Sequence, residues 1–399
     1  MKFTVPLTAI KDPTKSTELT YVQKSIDKAQ RRLKNRIVLE PEISLSDFKC
    51  KAVIDWVDVI LRVKRDTQFQ WIKKEIDDAT GQNVHIEVLN ERAGRVSSEF
   101  EVRIQDADLR IVQRAVDAVE AKFGLNGDPV VQAIEISVDF TPKSPSQQLR
   151  SKLVGVMIRH FMPTRDIISY RRDRPRYSWG RRSDGNTRAV LPWPKDPCVM
   201  DQSLVCIDSD LPAHIDATFY LGEDGSDCSW RIMDKILDRQ NPSDGSRAVL
   251  AEADRRVRIE VTLRGQYIGK LGLERLDDLK RYSFTKMQGD FFRFMLPTFE
   301  DTSRMMSGTS RAVWTHFERL RRMKFLNTGV LGLNAYDDAR KRIVRPVRNM
   351  VRRDLKKRGH TLSLKPRVGD GIAGTGVAYK DLNKRVEAAL RELRDRMLR

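Results

Sequence analysis

Four short segments carry residues whose types and spacing suit phosphate chemistry. In "AIEISVDF" side chains alternate between the two faces of a strand. Ile134, Ile136, Val138 and Phe140 share an apolar face, and Glu135, Ser137 and Asp139 share the other. Two carboxylates on one strand face suit a hard divalent cation such as Mg²⁺ or Mn²⁺. "VRIEVTL" sorts the same way, with Val257, Ile259, Val261 and Leu263 apolar and Arg258, Glu260 and Thr262 opposite. "HIDATFY" groups His214, Asp216, Thr218 and Tyr220, and "WRIMDK" groups Arg231, Met233 and Lys235. If these strands join one sheet, its polar face gathers metal ligands (Glu135, Asp139, Glu260), phosphate clamps (Arg231, Lys235) and a tyrosine nucleophile (Tyr220). That set would perform phosphoryl transfer, with the tyrosine attacking a DNA phosphate. For any one of these strands alone, a solvated outer face is the simpler reading.

The elements that must position these residues follow from periodicity. "KCKAVIDWVDVILRV" is β-branched and reads as a strand, and "DTQFQWIKKEIDDAT" has helical spacing, with Asp66 or Thr67 as N-cap and Gly81 past its end. "NVHIEVLN" and "SSEFEVRIQ" are strands, "DADLRIVQRAVDAVEAKFG" is a helix from Asp106 to Gly124, and "PVVQAIEISVDFTP" is a strand. The order β-α-β-β-α-β predicts an α+β fold built on a ferredoxin-like unit, with an antiparallel sheet and helices on one face. Residues 1–47 read as a polar helical appendage and 48–269 as the α+β core. That core divides into two αβ units at 48–142 and 145–269. From 270 to 399 the chain reads as helical and basic, with "VGDGIAGTGVA" as a hinge before a last amphipathic helix. Leu382, Val386, Leu390, Leu393 and Met397 stripe that helix.

Charge points to the partner. The 399 residues carry a net charge of +19. From Arg340 onward 19 Lys/Arg face 6 Asp/Glu, so two thirds of the excess lies in the last 60 residues. "RDIISYRRDRPRYSWGRR" is a second basic island. Clustered positive charge without an apolar anchor favours nucleic acid over membrane. Arg171, Arg172, Tyr177 and Arg181 in the island are candidate DNA contacts, as are Arg258, Arg348, Arg352, Arg353, Lys356 and Lys357. No apolar run long enough to span a bilayer is present, and the N-terminus has no signal-peptide core, so a cytoplasmic protein is expected. The four cysteines lack C-x-x-C spacing and predict reduced thiols.

"ATFYLGEDGSDCSWRIMDK" followed by "RRVRIEVTLRG" resembles the signature of the replication initiation factor (Rep_trans-type) family of rolling-circle plasmid and phage initiators and relaxases. The family's T-x-Y-x-G segment matches Thr218, Tyr220 and Gly222, and its serine matches Ser226 or Ser229. Its R-I-Y-x-K strand matches Arg231, Ile232 and Lys235, and its R-x-E strand matches Arg258 and Glu260. "AIEISVD" resembles the family's acidic strand through Glu135 and Asp139, and "AVIDWVDV" its aspartate-aromatic start through Asp55 and Trp56. The resemblance covers about residues 50–275. It implies a metal-dependent nickase acting on a hairpin or single-stranded origin, leaving a 5′-phosphotyrosine and a free 3′-OH. A host helicase, single-strand binding protein and homodimer partner are implied with it.

One position departs from the pattern. The tyrosine of R-I-Y-x-K is Met233, which cannot form a phosphodiester. Tyr220 is the first substitute, and Tyr170 and Tyr177 follow, although DNA-backbone contact or base stacking is the better reading for those two. His85 and His214 fall short of the paired-histidine strand of other nickases. A non-catalytic origin-binding protein on the same scaffold is the second reading. An RNA-binding module is the third, disfavoured because the strands carry carboxylates instead of exposed aromatics.

Overall fold

The computed structural model describes residues 1–9, 12–26, 33–167, 170–181, 187–189, 214–223, 225–240, 247–304, 309–359 and 376–397. Strand β1 (Lys2–Leu7), β2 (Thr17–Ser25) and β3 (Arg36–Pro41) come first. Then follow β4 (Phe48–Thr67), α1 (Phe69–Thr80), β5 (His85–Leu89), β6 (Ser97–Gln105), α2 (Leu109–Phe123) and β7 (Val130–Pro142). Helix α3 (Gln147–His160) leads to β8 (Arg176–Arg181), β9 (Thr187–Ala189), β10 (Thr218–Leu221) and β11 (Cys228–Lys235). A small hairpin, β12 (Leu237–Gln240) and β13 (Arg247–Val249), precedes β14 (Arg256–Arg264). Short helices α4 (Gln266–Leu271), α5 (Leu276–Arg281) and α6 (Met287–Phe291) lead to β15 (Met295–Glu300). The long α7 (Thr309–Lys357), β16 (Gly376–Ala378) and α8 (Lys380–Met397) complete the described chain.

The fold is α+β with antiparallel sheets. The principal sheet has nine strands in the order β5-β6-β4-β7-β14-β11-β10-β8-β9. Within its first part β6 lies between β4 and β5, the two strands joined through α1. The second part continues directly from β7 through β14, so both αβ stretches share one sheet. Its apolar face forms the core, with Phe100, Ile134, Ile136, Ile232, Val257 and Ile259 essentially inaccessible. Trp230 anchors the middle of that face. It is 1% exposed, its Nε1–H donates to the Phe291 carbonyl at 2.9 Å, and it meets the Phe161 ring edge-on at 6.1 Å. Helix α1 ends at Gly81 in the left-handed region as expected, but β4 runs through Thr67 and the N-cap is Gln68. Likewise Asp108, not Asp106, caps α2, accepting a hydrogen bond from the Arg110 N–H.

Residues 1–47 are not a helical appendage. β1, β2 and β3 pair with β15 and β16 in a five-stranded antiparallel sheet of order β1-β2-β3-β15-β16. Leu19 and Tyr21 alternate inward along "TELTYVQKS", a period of two rather than 3.6. The stretch after 270 is likewise not wholly helical. "MLPTFE" is β15, and residues 376–378 of the Gly-rich segment form β16, while 368–375 lie outside the described residues. Helix α7 breaks at Gly329, whose φ of 74° and ψ of −169° lie outside the helical region. A Cβ there would stand 2.7 Å from the Arg159 Cα, so only glycine fits. The two arms fold against each other, since Arg321 of the first makes a two-pronged contact with Asp337 of the second at 2.9 and 2.8 Å. Helix α8 buries Leu382, Val386, Leu390 and Leu393 as its stripe predicts, and Arg396 near its end donates to the Ala52 carbonyl of β4.

Candidate functional site

Antiparallel register decides which side chains meet on the polar face, because directly opposed residues project to the same side. Tyr220 stands opposite Arg231, Arg231 opposite Glu260, and Glu260 opposite Ser137. One step along, Met233 faces Arg258, Arg258 faces Asp139, and Asp139 faces Lys51. In the other direction Ser229 faces Thr262, Thr262 faces Glu135, and Glu135 faces Trp56. The period-2 reading of β7, β11 and β14 therefore holds. Strand β4 departs from it through an irregularity between Ile54 and Trp56. Asp55 is the extra residue, and the bulge sets both its carboxylate and the Trp56 indole beside Glu135.

Carboxylate oxygens of Asp55, Glu135 and Glu260 lie within 4.8 Å of one another. Two arginines are threaded through them. Arg231 Nη2 donates to Glu135 Oε2 at 2.6 Å, and its Nε approaches Glu260 Oε2 at 2.7 Å. The second contact lacks hydrogen-bond geometry, and Glu260 Oε2 is buried with no hydrogen-bond partner. Arg258 donates to Asp55 at 2.7 Å, to Glu260 at 3.3 Å and, through Nε and Nη2, to both oxygens of Asp139 at 2.5 and 2.7 Å. Glu135 also accepts from Trp56 Nε1 at 2.9 Å and from Thr262 Oγ1 at 2.5 Å. Glu135 and Glu260 are 2% and 3% exposed, so their charges sit in poorly solvated surroundings. Burial, with Glu260 beside it, pushes Glu135 up to about 7 against the pull of Arg231. Burial would raise Asp55 too, but Arg258 and then Lys235 outweigh it and hold that carboxyl below its usual value.

The predicted residues fall into three groups. Glu135, Glu260, Arg231 and Tyr220 share one face, and Arg176 lies over the Tyr220 ring at 5.3 Å. Lys235 closes the same face opposite Arg256. Asp139 is on this face but turned away from the three-carboxylate cluster. Both its oxygens are held by Arg258, and Arg256 Nε stands 3.0 Å from one of them. Asp55 takes the place expected for Asp139. The signal was the polar pair Asp55 and Asp58, three residues apart in an otherwise alternating strand.

Other expectations require correction. β10 begins at Thr218, so His214 and Asp216 precede the strand instead of sharing its face. His214 is buried, forms an isolated bridge with Thr8, and packs edge-on against Tyr177 at 5.6 Å. Tyr177 is 6% exposed because it faces Phe219 on the apolar side, so bases have no access to its ring. Arg258 is 2% exposed with its guanidinium fully engaged, so it organises carboxylates and does not meet DNA in this conformation. Tyr170 is 70% exposed, and Arg172 is exposed and paired with Glu223 at 2.9 Å. Arg353, Lys356 and Lys357 are exposed at the end of α7. The side chains of Arg171, Arg181, Arg348 and Arg352 lie outside the described residues.

Gly222 fixes the turn that presents β10 to β11. Its φ is 82°, and a Cβ would meet the Cys228 carbonyl oxygen at 2.7 Å. Among the described residues no helix is long and apolar enough to cross a membrane. Comparison with protein-family models gives no match, and comparison with curated proteins gives none either.

Proposed function

We propose that the chain is a DNA nicking–joining enzyme that starts rolling-circle replication. One observation carries this reading: Asp55, Glu135 and Glu260 converge on the sheet face that also presents Arg231, Lys235 and Tyr220. The donor set fits Mg²⁺ or Mn²⁺, being all carboxylate, with a buried Glu260 oxygen that lacks a hydrogen-bond donor. Asp55, Glu135 and Glu260 would hold the ion, which would polarise a phosphoryl oxygen as a Lewis acid.

The chain's own residues supply the rest. Arg231 is one-third exposed and links Tyr220 to the carboxylates, so it can turn to a phosphate when a cation takes its place on Glu135. The Tyr220 hydroxyl oxygen would bond to phosphorus as the bond to the 3′ oxygen breaks. The phenolic proton goes to solvent or a carboxylate, and the departing oxygen takes one up. Attack by that 3′-OH on the phosphotyrosine reverses the step and rejoins the strand.

Met233 favours a second reading. It stands opposite Arg258, at the position of the tyrosine in the R-I-Y-x-K pattern, and offers no nucleophile. A non-catalytic origin-binding protein on this scaffold would follow. Supercoiled plasmid bearing the cognate origin, incubated with Mg²⁺, separates the two. Relaxation that disappears in Tyr220→Phe supports nicking through Tyr220. Tight, salt-sensitive binding without relaxation supports the second reading.

A further inference from the structure

The register of the sheet places a row of cations beside the carboxylate cluster. Lys51 is the direct cross-strand partner of Asp139, yet among the described residues no carboxylate lies within ion-pair distance of it. Both Asp139 oxygens are already held by Arg258, with Arg256 alongside. Lys49 stands two residues back on the same strand face, opposite Thr141, and among the described residues likewise has no ion pair. Both lysines are exposed. Lys235 faces Arg256 across β11 and β14, one register step beyond Arg258. Its charge acts on Asp55, but among the described residues no carboxylate lies within ion-pair distance of it. Strands β11, β14 and β4 therefore present Lys235, Arg256, Lys49 and Lys51 across about 14 Å, three interstrand spacings, with Thr141 and Asp139 of β7 between them.

We infer that this row is a track for the phosphates of single-stranded DNA leading into the carboxylate cluster. Lys49 and Lys51, exposed and without an ion pair among the described residues, keep their charge for a polyanion, and binding releases the counterions condensed on it. A single strand fits better than a duplex. The reacting phosphate must reach groups only 2–3% exposed, and a paired strand holds its backbone away from such a recess. The inference takes the identity of the polymer from the proposed function. It does not require that the protein nick. The competing account is that Lys49 and Lys51 guard an unpaired strand edge, since β6 joins β4 only from Trp56 onward.

Anisotropy of a labelled short oligodeoxythymidine, titrated without divalent metal over a range of salt, tests the track. In Lys49→Ala/Lys51→Ala the slope of log K against log salt should become shallower by about 1.4, with binding ~25-fold weaker at 0.1 M salt. Lys2→Ala/Lys24→Ala serves as control, because those exposed lysines are paired with Glu42 and Glu40 on the other sheet. Equal losses in both double variants, an unchanged slope in the first, or no binding by the unaltered protein overturns the inference. Equal loss for a duplex of the same length overturns the single-strand assignment. A protein that binds through these lysines but never nicks sinks the enzyme reading alone. One that nicks and ignores their removal sinks the track alone.

Discussion

Replacing Glu135 by glutamine tests the electrostatics of the cluster. Glu135 is 2% exposed, beside Glu260, and pushed from 4.5 to about 7 by burial first and that neighbour second. It binds its proton more tightly folded than unfolded. The stability this adds is therefore complete below pH ~4.5 and lost as pH rises through ~7. The difference corresponds to on the order of 3 kcal/mol across that window. Glutamine keeps an oxygen for the Trp56 N–H and the Thr262 hydroxyl but carries no charge to titrate. Urea unfolding from pH 5 to 8 should show the unaltered protein losing stability while Glu135→Gln changes less. Glu101 on the same sheet is also raised to about 7, by burial and then Asp58, and it contributes equally to both proteins. Adding Mn²⁺ at pH 8 should restore the unaltered protein, by about 2.7 kcal/mol at a hundredfold excess over Kd, and should leave the variant little changed. Identical pH profiles for the two proteins, or an equal response to Mn²⁺, would refute the reasoning.

Two further substitutions probe the scaffold that holds the cluster. Arg258→Ala strands Asp139, Asp55 and Glu260 without their shared cation, and chemical denaturation should show a loss of about 3–5 kcal/mol. Arg258→Lys retains charge but not the paired contacts with Asp139, so its loss should be smaller. Trp230→Ala opens the core beneath the same strands and removes the hydrogen bond to Phe291. A loss of about 3–5 kcal/mol in the same assay is expected.

Much of this face was legible because β7, β11 and β14 alternate without interruption, and antiparallel pairing carries that alternation from strand to strand. Asp55 was harder to place, since a bulge shifts the alternation and period-2 counting has no term for an extra residue. The strand Thr17–Ser25 was misread because its charges suit a solvated helix. It pairs with β1 and β3, and the sheet they form is extended by β15, more than 250 residues later. Arg258 and Tyr177 show a related limit. Alternation assigns a face but not its depth, and only the assembled sheet reveals Arg258 at the centre of an ion network and Tyr177 against Phe219. The fate of His214 depended on where β10 begins, a boundary that composition does not mark.

The most direct test of the proposed activity is to trap the covalent intermediate. The protein is incubated with Mg²⁺ and a single-stranded oligonucleotide spanning the nick, denatured, digested, and the DNA-linked peptide identified by mass spectrometry. The account predicts a phosphotyrosine at Tyr220, absent from Tyr220→Phe and from Glu260→Gln. A linkage at Tyr170 or another tyrosine, or cleavage without any linked peptide, would contradict it.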